Sequence, residues 1–242
     1  MARQYPADLL AAMLADDPGR PRLTWYDDEP GPTVGERIEL SAKVLGNWVN
    51  KAGNLLQDDL AAGPGTTVGL DLPTHWRACY WALAAWGVGA SVVIGGDVLD
   101  ADVLVTADPG RARAHAGDAV LVSLPALARS HPDAADAGGA IDEARELSTH
   151  GDQFVSLADP EAADLALSDS GHDTAYGSLV TTQQEWGAAP RVALNGSLGE
   201  VLRQSLSAWA GRGSVVLSRG VAPNAARRLE SEGVTVTPGE VG

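Results

Sequence analysis

The chain has 242 residues, 45% hydrophobic and 20% charged, enough apolar material to pack one large domain and the wrong balance for a disordered polypeptide. Its formal charge of −15, from 32 acidic and 17 basic residues, excludes the clustered cations that a nucleic-acid backbone or an anionic membrane surface would demand. One cysteine, Cys79, excludes an internal disulfide or a cysteine-based zinc site, and no run approaches the roughly eighteen apolar positions of a membrane span.

Met1 to Pro6 is followed by Asp8 and Asp16-Asp17 without an apolar signal-peptide core, so a cytoplasmic location is expected. From Asp8 to Ala15, Leu9, Leu10, Met13 and Leu14 share one side of a helix. After the Pro18-Gly19 break, residues 22–26 read as a strand, 27–32 as a turn and 33–40 as the returning strand of a hairpin. Ser41 is placed to cap the next helix, where Val44, Leu45, Trp48, Val49, Ala52, Leu55 and Leu56 recur at three- and four-residue spacing. Gly63-Pro64-Gly65 ends that helix and residues 67–72 form a short strand. Pro73-Thr74 then opens a helix to Trp86 that is apolar almost all round, the pattern of a helix packed on more than one side. Cys79 on this helix reads as a buried structural thiol.

Strands follow at 91–94, 103–105 and 119–122. Residues 129–163, rich in Ala, Gly and acids, read as a surface excursion whose acidic run is solvated. Strand signals resume at 165–167, 191–194 and 214–217. A helix over 200–210 turns Val201, Leu202, Leu206 and Trp209 inward, and a last helix near 224–232 precedes a closing strand at 234–236. Strands alternating with helices predict an α/β fold with mostly parallel sheet flanked by helices. The expected organisation is a single domain over 1–242, with lobes 1–128 and 164–242 joined by the irregular segment 129–163. Lysine is confined to Lys43 and Lys51, and with abundant Ala, Gly and Val this points to a GC-rich bacterial genome.

The order of these signals carries more than their types. Hairpin, long helix, Gly-Pro-Gly turn, strand, Leu72-Pro73, apolar helix, Gly87-Val88-Gly89-Ala90 and a valine-rich strand together resemble the opening of the AMP-binding (acyl-adenylate-forming, acyl-CoA synthetase-like) superfamily. Trp209-Ala210-Gly211-Arg212-Gly213-Ser214-Val215-Val216-Leu217, and then 225–236, resemble a later helix, glycine turn and strand of that family and its next helix and strand. The resemblance spans most of the chain and implies the front part of the family's large domain. It also implies truncation, because the sequence stops before the family's later adenine and ribose motifs, its hinge and its small C-terminal domain.

The same resemblance implies a Thr-Ser-Gly-Thr-Thr-Gly-x-Pro-Lys-Gly loop after a short strand, whose amides, hydroxyls and lysine hold the ATP phosphates. Here strand 164–167 is followed by Ser168-Asp169-Ser170-Gly171-His172-Asp173-Thr174-Ala175-Tyr176-Gly177. Ser170 and Gly171 match; His172 and Asp173 stand for two threonines, Thr174 for a glycine, Tyr176 for the proline and Gly177 for the lysine. Ser170, Gly171 and Thr174 are therefore the candidates for a vestigial phosphate loop. Asp169 and Asp173 would face a polyanion, and like charges a few ångströms apart cost on the order of 1 kcal/mol even in water. Gly196 stands where the family often places an aromatic residue or His near its acyl pocket.

Other constellations have plain structural readings beside the functional ones. Asn195-Gly196-Ser197-Leu198-Gly199 approaches a nucleophile elbow, but Asn195 replaces its first glycine and no histidine follows His172; the alternative is an ordinary strand-to-helix turn with Ser197 or Asn195 capping the helix. His75, His115, His131, His150 and His172 show no ligand spacing and read as surface or loop residues, with one metal grouping conceivable from His150, Asp152, Asp169, His172 and Asp173. Trp76, Tyr80, Trp81 and Trp86 read as core, with an acyl-pocket wall as the alternative. Arg227-Arg228 read as solvated, pairing with Glu230 or Glu232.

The expectation is a non-catalytic relative of the adenylating enzymes, a pseudoenzyme acting as a binding or interaction protein, with no catalytic residue, cofactor or metal. A homodimer or a dedicated protein partner is expected, with neither nucleic acid nor membrane. The alternatives are a small-molecule module for a nucleotide, CoA or acyl group, sited at strand carboxyl ends near Ser170-Gly171 and Asn195-Gly196, or an acyl-CoA synthetase-like enzyme completed by a partner chain.

Overall fold

The computed structural model describes residues 4–96 and 98–239. Its elements begin with helix α1 (Pro6–Asp16), strands β1 (Pro21–Asp27) and β2 (Arg37–Ser41), and helix α2 (Ala42–Asn54), which runs into a π-helical turn (Leu55–Asp59). Then come β3 (Thr67–Asp71), α3 (Trp76–Gly87), β4 (Ser91–Ile94), β5 (Val103–Thr106), α4 (Pro109–Ala114), β6 (Asp118–Leu121), β7 (Ile141–Asp142) and α5 (Glu143–Glu146). The chain continues through β8 (Leu165–Asp169), β9 (His172–Ala175), α6 (Tyr176–Leu179), β10 (Arg191–Leu194), α7 (Leu198–Ala210), β11 (Ser214–Arg219) and α8 (Ala225–Ser231). The fold is α/β with mostly parallel pairing, as the alternation of patterns implied. Among the described residues, no helix is long and apolar enough to cross a membrane.

The chain divides into two compact units. The first holds residues up to Leu45, Thr74–Trp76 and residues from Val180 on; the second holds Gly46–Pro73 and Arg77–Leu179.

In the first unit the strand order is β10-β11-β1-β2, parallel except for the β1–β2 hairpin. Leu23, Trp25, Val215 and Leu217 are fully buried, each such aliphatic side chain contributing roughly 1.5–3 kcal/mol by leaving water. Arg22 is buried among them, its two terminal guanidinium nitrogens satisfied by the carbonyls of Arg212 and Gly213 and by Asp16 at 2.8 Å. The indole of Trp209 on α7 donates to Arg22 O at 3.0 Å, and α1 packs on α7. The closing strand expected at 234–236 is a single bridge, Val236 beside Val192. His75, expected at the surface, is buried with its ring 4.2 Å from that of Trp25.

In the second unit the order is β7-β6-β5-β3-β4-β8-β9, all parallel except the β8–β9 hairpin. Within it α3 is buried on every side from Ala78 to Trp86. The Trp86 indole donates to Ala166 O at 2.7 Å, and burial pushes the Cys79 thiol up to about 12. Both readings of the apolar helix as core therefore hold for this stretch. Ser41 Oγ accepts from Val44 N at 3.2 Å, the expected cap, whereas Val44 itself, expected inside, is exposed.

The segment 129–163 departs from its expected solvated character at Ala137, Glu143 and Leu147, all buried, and most sharply at the charged one. β7 extends the sheet beside β6, and Glu143 directly after it is 0% exposed. Its carboxylate accepts from Tyr80 Oη and Trp81 Nε1 and pairs with Arg77 at 3.3 Å. Burial raises the Glu143 pKa, opposed by Arg77, Tyr80 and Trp81. A buried carboxylate persists only with such partners. Composition could not reveal this, because Arg77 and Glu143 lie far apart in the chain.

Candidate functional site

The stretch 168–177 takes its shape from two residues. Ser170 and Gly171 have φ of 52° and 82°, and successive positive φ values at the two central positions make the tight turn that joins antiparallel strands. β8 and β9 pair directly across it, Asp169 opposite His172, Ser168 opposite Asp173 and Leu167 opposite Thr174. Ser168 Oγ donates to Asp173 Oδ1 at 2.7 Å, and Ser170 N donates to Ile94 O at 3.1 Å. Thr174 thus lies within a strand, and of the three candidates Ser170 and Gly171 alone form the turn.

Beyond β9, Tyr176 is buried, its amide bonded to Asp164 O and its hydroxyl to Ala90 O at 2.7 Å. The Gly177 amide bonds to Ala162 O at 2.9 Å, and a Cβ at Gly177 would lie 2.9 Å from that same oxygen. The position aligned with the phosphate-holding lysine therefore has no room for a side chain. Amides that an open loop would offer to phosphate here serve strand pairing and these anchors instead.

A different arrangement lies at the carboxyl ends of β10 and β11 in the first unit. A cavity of about 280 Å³ is bounded by Ala193, Leu194, Asn195, Ser218 and, from α8, Arg228 and Leu229. The Arg228 guanidinium is engaged elsewhere, meeting both carboxylate oxygens of Asp28 at 2.5 and 2.8 Å and lying 4.1 Å over the Tyr26 ring. The expected pairing of Arg228 with Glu230 or Glu232 gives way to this one. Glu232 instead takes Tyr26 Oη, Arg37 and Arg191. With its arginine neutralised, the cavity offers apolar walls and the neutral polar groups of Asn195, Ser218 and Thr237.

The near-elbow resolves into a capped turn. Ser197 Oγ accepts from Glu200 N and donates to Glu200 Oε2 at 2.7 Å, and Ser197 N also meets Glu200 Oε2, a reciprocal cap that starts α7. The tryptophans and Tyr80 of α3 are buried core. Of the grouping conceived around His150 and His172, Asp169 and His172 face each other across the hairpin and Asp152 pairs with Lys51 at 3.0 Å. His150 lies instead with Asp59 and Glu146: Glu146 precedes it by four residues, a spacing a search for His–His pairs passes over, whereas Asp59 is remote in sequence.

No family model matches the chain. A Mycobacterium tuberculosis protein that carries only a family number for a name is 40% identical over 158 residues, 63% of this chain and 63% of that protein. Solved structures align over nearly the whole chain. The crystal structure of a Brucella canis acyl-CoA synthetase has a TM-score of 0.71 at 15% identity, covering 97% of this chain and 47% of that one. The N-terminal domain of FACL13 from Mycobacterium tuberculosis has a TM-score of 0.71 at 13% identity, covering 96% and 61%. The anthranilate CoA ligase AuaEII, in complex with anthranoyl-AMP, has a TM-score of 0.68 at 17% identity, covering 97% and 48%.

The fold is that of the N-terminal part of adenylate-forming enzymes. At these identities the likeness speaks for the fold alone, and the chain spans under two thirds of the length of each relative.

Proposed function

We propose that this chain is a non-catalytic relative of the adenylate-forming enzymes, a bacterial and cytoplasmic protein that acts by binding. The observation that carries the reading is the two-residue turn at Ser170-Gly171, flanked by Asp169 and Asp173, with Gly177 seated against Ala162 O. A triphosphate needs an open row of amides and a cation; here the strand is folded back on itself and carboxylates stand beside the turn. Isothermal titration with ATP·Mg is expected to give no heat of binding, and pyrophosphate exchange with carboxylic acids no turnover. Tight ATP binding or exchange above background would overturn the reading.

The cavity at the ends of β10 and β11 favours a second reading, a small-molecule module. Strand carboxyl ends are where open α/β sheets receive ligands, and an apolar wall with a few neutral polar groups suits an acyl or aromatic group better than a phosphate. Thermal shift with AMP, CoA and acyl-CoA compounds separates the two: a response to the acyl compound that Leu229→Arg abolishes supports the module, and a flat panel supports protein interaction. For the latter, a second copy of this chain or a dedicated partner is expected, motivated by Val155 and Leu157 at 81% and 84% exposure on one short segment. Light scattering reporting a monomer at high concentration would remove the homodimer.

A further inference from the structure

In the second unit, Asp59, Glu146 and His150 each place one donor atom within 4.8 Å of the others. We propose that these three side chains bind a divalent first-row transition-metal ion of the zinc type. The site is separate from the hairpin at 168–177 and does not depend on the function proposed above.

The spacing argues for a ligand set rather than a hydrogen bond. His150 Nε2 is fully buried and makes no hydrogen bond, and the Asp59 carboxylate oxygen stands 3.3 Å from it. An N–H···O bond prefers about 2.9–3.0 Å. Two ligands, each about 2.0–2.1 Å from a tetrahedral zinc, are separated by about 3.3–3.4 Å. The His150–Asp59 distance matches that edge, and Glu146 brings its donor within 4.8 Å of both.

The scaffold holds the donors before any ion arrives. Asp59 closes the π-helical turn that ends α2, an irregularity that recurs at functional sites. The loop that carries His150 is tied to α2 along its length. Lys51 Nζ donates to His150 O, Asn54 Nδ2 to Gly151 O and Gln153 O, and Asn50 Nδ2 to Asp152 O. Glu146 ends α5, and Thr149 Oγ1 donates to its carbonyl at 2.8 Å. Lys51 is the cation facing this loop, and its charge is paired with Asp152.

Donor chemistry narrows the ion. One imidazole with two carboxylates and no thiolate suits Zn²⁺, Mn²⁺ or Co²⁺; the imidazole disfavours Ca²⁺ and Mg²⁺, and the missing sulfur disfavours Cu⁺. Three protein ligands leave a coordination position for solvent, which reaches the site because Asp59 is 42% exposed. The net charge of −15 adds a favourable field for any cation. The ion would fasten the end of α2 to α5 and the loop after it.

The test is calorimetric titration of the metal-stripped full chain with Zn²⁺, paralleled by the visible absorption of added Co²⁺. One ion per chain is expected, with a rise in Tm on adding Zn²⁺. His150→Ala and Glu146→Gln are each expected to weaken binding by more than the roughly 10–100-fold that loss of a supporting partner costs, and to abolish the rise in Tm. His131→Ala, outside the cluster, is expected to bind as the unaltered chain does. Should His150→Ala fail to fold, the half-buried Glu146→Gln gives the same reading. A chain that takes up no Zn²⁺, leaving a plain His150–Asp59 ion pair, overturns the proposal, as does uptake undiminished in Glu146→Gln.

Discussion

The two units end comparable strands in opposite ways. In the first, the carboxyl ends of β10 and β11 open into a cavity whose wall includes Asn195 and Ser218. In the second, the carboxyl end of β8 turns back at once through Ser170 and Gly171 into β9. Both lie where α/β sheets receive ligands, so the architecture offers a site at each. Local turn chemistry decides which is kept: β10 runs out to a capped helix and leaves space, whereas β8 commits its backbone to pairing.

Four variants bear on that comparison. Asp27, at the end of β1, anchors the end of the neighbouring β11, its buried carboxylate held by Arg219 at 2.5 and 3.0 Å and by Thr33. Asp27→Ala, which strands Arg219, is expected to destabilise the fold by about 3 kcal/mol in urea denaturation. Burial opposes ionisation of Asp27, but the Arg219 and Thr33 side chains and the Glu29 amide prevail and hold its pKa below the usual carboxylate range. A carboxylate with a depressed folded pKa contributes stability above about pH 4 and loses it as pH falls through the folded value. Acid unfolding of Asp27→Ala should therefore lack this component below pH 4.

Gly171→Val places a β-branched residue at a φ of 82°, with an expected loss of about 2 kcal/mol and faster amide exchange confined to β8 and β9. A loss below about 0.5 kcal/mol would mean that the turn is not held tightly. Ser197→Ala removes the helix cap beside the cavity and is expected to cost about 1 kcal/mol. A fluorophosphonate probe should label neither form.

The smallest expected effect is the most discriminating. Asp169→Asn combined with Asp173→Asn should change stability by less than about 0.5 kcal/mol and still leave ATP unbound, because the closed turn remains. If ATP binding appears, charge rather than turn geometry had excluded it.

Much of this was legible in residues. Three- and four-residue spacing placed α2 and α7, and the apolar run placed α3, with Val201, Leu202, Leu206 and Trp209 buried as their spacing implied. Ser41 and Ser197 announced their caps. That Gly177 stands where the resemblance implies a phosphate-holding lysine could be read by alignment of type alone. The two-residue turn could not, since Ser-Gly is equally at home in an open loop and only the pairing of Asp169 with His172 distinguishes them. Val44 continues its helix's apolar rhythm yet faces solvent, because periodicity assigns a side but not the width of the buried stripe.

Pattern, capping and composition are local properties, and from them this sequence determined its longer helices, most of its strands and its α/β class, while the short helices α4, α5 and α6 went unread. What folding alone decided are the meetings across long separations: Asp27 with Arg219, Arg77 with Glu143, and Asp59 with Glu146 and His150. Such contacts arise from which strands become neighbours and how loops are tied to helices. A buried charge therefore reads like any surface acid until its partner is brought to it.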